Sequence, residues 1–285
     1  MKKFYLFFIA AIAALTLTAQ TTKEGSIEVG NTSSTYNGSY FDMAPTNFYI
    51  AHTGVQMIYT PDLLDDMTGK RDVTISKLQF MFHDETFEEI VRNVKIYLQE
   101  SDATEFEIIK DVKQFFAFDN LVAESQLDID MLDNYGEDCT IEFPVNFAFT
   151  PGKSLIVTMA FDAVDDDNCT MGSDYAPFYT SDISGKAMTY TNNWSSFVDY
   201  AQGEDFPDAT AVLGCGTNVA LPYTQISYTY VEMNPSGVTE IADGKTVAGV
   251  RYFSIDGKEM RQPAGLTIAV TTYNDGTTKT EKIVK

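Results

Sequence analysis

Between Val73 and Leu98 apolar and polar residues alternate with a period of two. Leu78, Phe80 and Phe82 alternate with Lys77, Gln79 and Met81. After an acidic link from His83 to Ile90, Val94, Ile96 and Leu98 alternate with Asn93, Lys95 and Tyr97. That period predicts two strands, each with one buried and one solvated face, and the β-branched and aromatic residues suit such a surface. The same style predicts strands at Ser26–Val29, Val55–Tyr59, Gln126–Leu132, Cys139–Phe149, Ser154–Phe161, Pro177–Thr180, Ala187–Tyr190 and Thr224–Val231. Pro144 makes its strand an edge or a bulge. In Ser154–Phe161 the residues Leu155, Val157, Met159 and Phe161 share one face. Leu63 to Met67 reads as one helical turn opened by Asp62. Phe106 to Phe118 reads as strand and loop, although Ile108, Val112 and Phe115 have helical spacing. About ten short strands at near-regular spacing predict an all-β sandwich or barrel. Its core is expected to hold Leu78, Phe80, Phe82, Val94, Ile96, Leu98, Leu155, Val157 and Phe161.

At Asn234-Pro235-Ser236-Gly237 the composition changes. Strand-like runs at Val247–Ile255, Leu266–Tyr273 and Thr278–Val284 follow, joined at Asp256-Gly257 and Asn274-Asp275-Gly276. Asp-Gly supplies the positive φ angles of tight hairpins. The expected organisation is a body at 20–233, a linker at 234–240 and a small β module at 241–285.

The first nineteen residues set the compartment. Lys2 and Lys3 precede an apolar run from Phe4 to Leu17 and then Thr18-Ala19-Gln20, the pattern of a secretory signal peptide cleaved after Ala19. The run is short for a membrane span, and no long apolar run follows it, so no transmembrane helix is expected in the mature chain. Formal charge is −22 over 285 residues, and removal of Lys2 and Lys3 with the leader takes it to −24. Such a surface repels phosphate backbones and anionic membranes, which argues against nucleic acid as a partner. It leaves divalent cations and neutral sugars as partners. The cysteines are Cys139, Cys169 and Cys215. In an oxidising compartment one disulfide is possible with one thiol left over; of the three pairings Cys169 with Cys215 is favoured because both read as loop positions, and three reduced or buried thiols are the equal alternative.

Two resemblances enter on specific phrases. GVRYFSIDGKEMRQPAGLTIAVTTYNDGTTKTEKIVK resembles the C-terminal sorting domain of type IX secretion cargo in Bacteroidota. Phe253 to Gly257, Gly265 to Val270 and Lys282 to Lys285 occupy the places of that family's aromatic-to-glycine step, glycine-led strand and basic terminus. Phe253 stands where tyrosine is usual, and TTYNDGTT makes a longer hairpin than the shortest members carry. The body, through VQMIYT, ISKLQFMF, VRNVKIYL, PVNFAFTPGKSLIVTMAFD and PYTQISYTY, resembles a jelly-roll-like repeat of secreted and surface proteins in the same phylum. The resemblances imply a jelly-roll-like β-sandwich with a terminal sorting module, and binding rather than chemistry. They also imply passage through the type IX machinery to the medium or the outer surface of a Gram-negative cell.

Candidate chemistry is sparse. His52 and His83 are the two histidines, no HExxH or GxSxG occurs, and both read as solvated loop or turn residues. Asp128, Asp130 and Asp133 are similar to the acidic strand of laminarinase-like jelly-roll glycosidases. That family uses glutamates at the outer positions, and a retaining enzyme needs two carboxyl groups about 5 Å apart. Asp165, Asp166, Asp167 and Asn168 form the densest set of oxygen ligands and are the calcium candidate, without the spacing or glycine of an EF-hand. Tyr175, Phe178, Tyr179, Tyr190, Trp194 and Phe197 crowd one region with Asn192, Asn193 and Ser195. Flat rings beside amides suit sugars, since rings stack on apolar sugar faces while amides bond hydroxyls. The candidate ligand residues are Tyr175, Tyr179, Tyr190, Asn193 and Trp194, with Trp194 expected to be exposed. The expectation is a non-enzymatic surface binding or adhesion protein for a glycan or a host protein. A glycosidase built on Asp128, Asp130 and Asp133 is the alternative.

Overall fold

The structure is a computed structural model and describes residues 22–31, 44–47, 50–83, 90–129, 136, 138–164, 178–203, 206, 215–232, 247–263 and 265–284. They fall into two compact units, one running to Val231 and one starting at Glu232. The strands of the first are β1 (Lys23–Val29), β2 (His52–Tyr59), β3 (Lys70–His83), β4 (Ile90–Ser101), β5 (Ile108–Ile109) and β6 (Val112–Lys113). They continue with β7 (Leu121–Ile129), β8 (Asp138–Phe149), β9 (Ser154–Ala163), β10 (Ala187–Asn192), β11 (Cys215–Val219) and β12 (Thr224–Glu232). A short 3-10 turn covers Asp65–Met67, later than the turn expected from Asp62, and one helix, α1, covers Phe197–Ala201.

Four antiparallel pairs nest inside one another along the chain: β4 with β7, β3 with β8, β2 with β9, and β1 with β12. Successive pairs fall in alternate sheets, so a long double ribbon is rolled up into a sandwich. This is the jelly-roll arrangement of two facing sheets. One sheet has the order β1-β12-β3-β8; the other, β11-β10-β2-β9-β4-β7, is widened by the two strands inserted between β9 and β12. Pro144 lies on edge strand β8, where the register with β3 shifts between Ile75 and Lys77. Both features permit a residue that cannot donate to the ladder.

The inner faces build the main core. All nine residues expected there are buried in one cluster, together with Val55, Met57, Tyr59, Ile141, Phe143 and Ile226. A second core lies on the outer face of the six-stranded sheet, where Ile58, Ile156, Ala160, Met188 and Tyr190 are covered by Phe106, Phe115 and Phe197. The covering pieces are the segment between β4 and β7, and α1. Gln56 fastens the first: its amide donates to Phe116 O at 2.7 Å, and its carbonyl accepts from Phe116 N at 2.7 Å. Gly54 makes room for the second, because a Cβ at that position would run into the Phe197 ring. The Phe106 to Phe118 stretch is mostly loop, with the two-residue strands β5 and β6 at its tip.

The second unit is a four-stranded antiparallel sheet of β13 (Val247–Ser254), β14 (Glu259–Met260), β15 (Leu266–Tyr273) and β16 (Thr278–Val284), in the order β14-β13-β15-β16. Gly257 and Gly276, both at positive φ, close its two hairpins, and Asp275 Oδ1 accepts from Thr277 N at 2.9 Å.

Candidate functional site: one end of the sandwich

Both histidines of the first unit, each with a carboxylate partner, lie at the end where β2, β4 and β8 begin and β3, β7, β9 and β10 finish. On the outer face of the six-stranded sheet the register lines up Asn192 (β10), His52 (β2), Asp162 (β9), Asn93 (β4) and Gln126 (β7). Residues directly opposite in antiparallel strands project to the same side, so these five form one row across five strands. His52 Nδ1 and Asp162 Oδ1 are 2.9 Å apart, and both side chains are partly buried. Asn93 and Gln126 are exposed. The next row inward reads Tyr190, Gly54, Ala160, Lys95 and Glu124. Its first three members lie under α1, and Lys95 faces Glu124 at 3.8 Å. The polar row is therefore a ledge beside the aromatic cap.

Beyond Asn192 the chain turns into α1, and three hydrogen bonds hold that turn. Asn192 Oδ1 accepts from Trp194 N at 2.8 Å, Ser195 O accepts from the Tyr190 hydroxyl at 2.8 Å, and Ser196 Oγ caps α1 by accepting from Asp199 N at 3.1 Å. Trp194 stands out from this pinned turn with 87% of its surface exposed, beside exposed Asn193. Burial raises the Tyr190 phenol above its usual range, with Asp162 and Asp199 adding to it against the bonds to Ser195 and Asn192. Tyr97 is also raised, by burial first and then by Glu124 and Asp162. Both phenols stay neutral hydrogen-bonding groups, one on each side of Asp162.

The same end of the other sheet carries a second cluster. His83 Nδ1 lies 3.0 Å from Asp138 Oδ1, and the Tyr179 hydroxyl donates to the same oxygen at 2.6 Å. These bonds hold the Asp138 carboxyl below the usual carboxylate range, the Tyr179 bond foremost. Reciprocally, the bond to Asp138 pushes Tyr179 up to about 12. A phenol made harder to ionise is disarmed as a nucleophile. Between the sheets, on the inner face of β4, Arg92 is buried and donates from Nη1 to Val91 O at 2.9 Å.

The expected aromatic cluster is not assembled on one surface. Tyr190 is buried, its ring packed between Phe197 and Tyr200, and no ring face is left for a ligand. Phe178 packs on Phe82 in the main core, and Tyr179 stands on the other sheet with His83 and Asp138. Trp194 and Asn193 remain at the surface. His52 and His83 are strand residues with carboxylate partners, rather than loop or turn residues. Asp128 is exposed on β7 opposite Val91. Asp130, Asp133, Tyr175 and the calcium candidates Asp165, Asp166, Asp167 and Asn168 lie outside the described residues, as do the leader and the linker. Among the described residues no group of three or more histidine, cysteine or acidic side chains is placed to hold a metal ion. Cys215 lies on β11, a strand where a loop was expected, and Cys139 lies on β8. Cys169 lies outside the described residues.

No family model and no curated protein matches the chain. Among solved structures it is similar to the cysteine protease and lectin-like domains of Cwp84, a surface layer associated protein of Clostridium difficile. The TM-score is 0.32 and the identity 11%, over 64% of this chain and 32% of that one. A second structure, of the clostridial cysteine protease Cwp84 after propeptide cleavage, gives a TM-score of 0.32 and 10% identity over 74% of this chain and 40% of that one. The chain thus spans well under half the length of either neighbour.

Proposed function

We propose that the chain is exported and acts outside the cell as a binding or adhesion protein, without catalysing a reaction, and that its ligand is a glycan. The observation that carries this is Trp194: a large ring, fully presented, on a turn held by hydrogen bonds on both sides. An exposed indole loses solvation only when something covers it, and a pre-organised ring loses little freedom on doing so. Amides at Asn193 and Asn192 supply paired donors and acceptors beside it, and Asn93 and Gln126 continue them along the same face. The leader pattern and the acidic charge support work outside the cell, away from nucleic acid. No described helix is long and apolar enough to cross a membrane.

The terminal unit, read through its resemblance to type IX sorting domains, is the export address, and the secretion machinery is its partner. A unit with its own sheet and hairpins is suited to being read apart from the body. Deleting Gly237 to Lys285 should leave a folded body in the periplasm of the native host, and fusing those residues to a periplasmic reporter should bring the reporter out. Normal surface levels of the truncated protein would make the unit an appendage instead. For the ligand, the test is an array of immobilised glycans and extracellular-matrix proteins. Trp194→Ala should lower retention on the bound glycans by about tenfold or more, the scale of a lost aromatic contact at a binding centre. Retention on matrix proteins alone would move the reading to a host-protein ligand, and equal retention of wild type and variant would remove Trp194 from the site.

A further inference from the structure

The ledge has a chemistry of its own. Its five members run Asn192, His52, Asp162, Asn93 and Gln126: one amide on one side of a histidine–carboxylate pair and two on the other, laid in one line by the register. The line crosses four inter-strand gaps, a span of roughly 19 Å at the usual strand separation. Every amide offers a donor and an acceptor, whereas the line holds no lysine or arginine. The nearest described cation on this face, Lys95, is matched by Glu124. Nothing on the ledge is equipped to hold a phosphate, sulfate or uronate, and the acidic chain repels polyanions. On one long side the ledge meets α1 over Tyr190, Gly54 and Ala160 and then the Lys95–Glu124 pair, and at the Asn192 end it runs up to Trp194.

We propose that this row is the binding strip of an extended neutral polysaccharide, laid across the strands with one terminal sugar stacked on Trp194. The strip rests on the glycan-binding reading above and adds to it the subsite residues and the class of glycan. A hydroxyl-bearing chain without charge matches a line in which Asn192, Asn93 and Gln126 each present a donor and an acceptor on either side of the His52–Asp162 pair. The His52–Asp162 pair fixes the middle of the strip: the carboxylate orients the imidazole, and the pair meets the sugar hydroxyls there. Asn93 and Gln126, exposed on adjacent strands, bond the hydroxyls at the far end. Trp194 supplies the stacking surface at the near end.

The test is affinity electrophoresis and calorimetry of the full chain against a panel of soluble polysaccharides. The panel holds neutral β-glucan, xylan and galactomannan as expected ligands, with polygalacturonate and a sulfated glycan as charged counterparts. The variants are Asn93→Ala with Gln126→Ala, then Trp194→Ala, with Gln79→Ala on the other sheet as the surface control. Wild type should bind at least one neutral polymer and neither charged one. The double variant should weaken binding by about tenfold or more, two lost hydrogen bonds to ligand, with its melting curve unchanged. Loss of binding in Trp194→Ala with none in the double variant would overturn the strip and leave the glycan reading standing. Preference for a charged polymer would overturn the neutral class. Retention of no polysaccharide by wild type would overturn the strip and the glycan reading together.

Discussion

The outer face of the four-stranded sheet carries Lys77, Gln79, Met81 and His83 on β3, and Thr140 and Glu142 on β8. The outer face of the six-stranded sheet carries Met188, Gly54, Ile58, Ile156 and Ala160. The first is solvated, and its strands alternate buried with exposed positions; the second is roofed, and β2 and β9 are buried on both sides. A roof over one sheet turns a two-layer sandwich into three layers at that point and gives the polar row an edge to lie against. Sheet curvature alone would not mark out one strip of a flat surface; the end of the roof does. The exposed tryptophan sits on the chain that leaves β10 to build the roof.

The largest expected effect separates the two cores. Phe80→Ala empties the centre of the sandwich and should cost about 3–5 kcal/mol in urea unfolding. Phe197→Ala removes the central ring of the roof and should cost toward the lower end, about 3 kcal/mol. Hydrogen exchange should speed up at 106–118 and 197–201 while β3 and β4 keep their protection. Equal loss of protection in both sheets would mean that the roof and sandwich fold as one unit. Next comes Gly54→Ala, which forces a methyl against Phe197 and should cost about 1–3 kcal/mol. In the Phe197→Ala background the same change should cost far less, and a double-mutant cycle reads that coupling. Additive costs would show that Gly54 matters for its backbone instead.

A smaller effect belongs to the solvated sheet and is visible through pH. Tyr179 titrates at about 12 in the folded chain against about 10 unfolded, so between those values the native state keeps a proton that the unfolded chain has lost. Stability should therefore fall as pH rises from about 10 to about 12. Asp138, depressed by Tyr179 and His83, stays ionised while its unfolded counterpart protonates. Its contribution is present above the unfolded value near about 3.9 and is lost as pH drops through the folded one. Tyr179→Phe should flatten both limbs of a melting-temperature profile; unchanged limbs would place the titration elsewhere. Smallest of all, Lys77→Ala breaks an exposed 2.8 Å pair with Glu142 and should shift stability by no more than about 0.5 kcal/mol.

The main core was legible because a period of two says which side chains share a face, and all nine expected residues do. The roof was legible in part and missed. Ser154–Phe161 has apolar residues on its second face too, at Ile156 and Ala160, and an unbroken apolar run marks a strand covered on both sides. Ser196-Phe-Val-Asp199 has the spacing of a capping box, which would have placed α1. Cys215, read as a loop position, opens the strand Cys215–Val219 because β10 offers it an edge, and tertiary pairing overrides a glycine-flanked sequence. The polar row and both histidine–carboxylate pairs had no local signal. His52 and Asp162 are separated by 110 positions and His83 and Asp138 by 55, and only the strand register brings them together. The exposure of Trp194 was legible from its polar neighbours, whereas Tyr190, two residues before Asn192 on the same face, lies under the roof.

The nesting of the strand pairs also sets an order of assembly in time. The innermost pair, β4 with β7, joins residues a few tens of positions apart, whereas β1 reaches β12 across roughly 200 positions. Closing the longer loop costs roughly 1.7 kcal/mol more chain entropy, and it rewards that cost only after the pairs inside it exist. Folding should therefore start at the β4–β7 hairpin and its neighbour β9, proceed outward, and run on the millisecond-to-second scale of long-range β topologies. β1 is then the last strand to settle and the first to leave. During that interval Ile27 and Val29 are unburied and the edge of β12 stands open, a vacancy that the chain's own N-terminal strand must reach before another molecule's does.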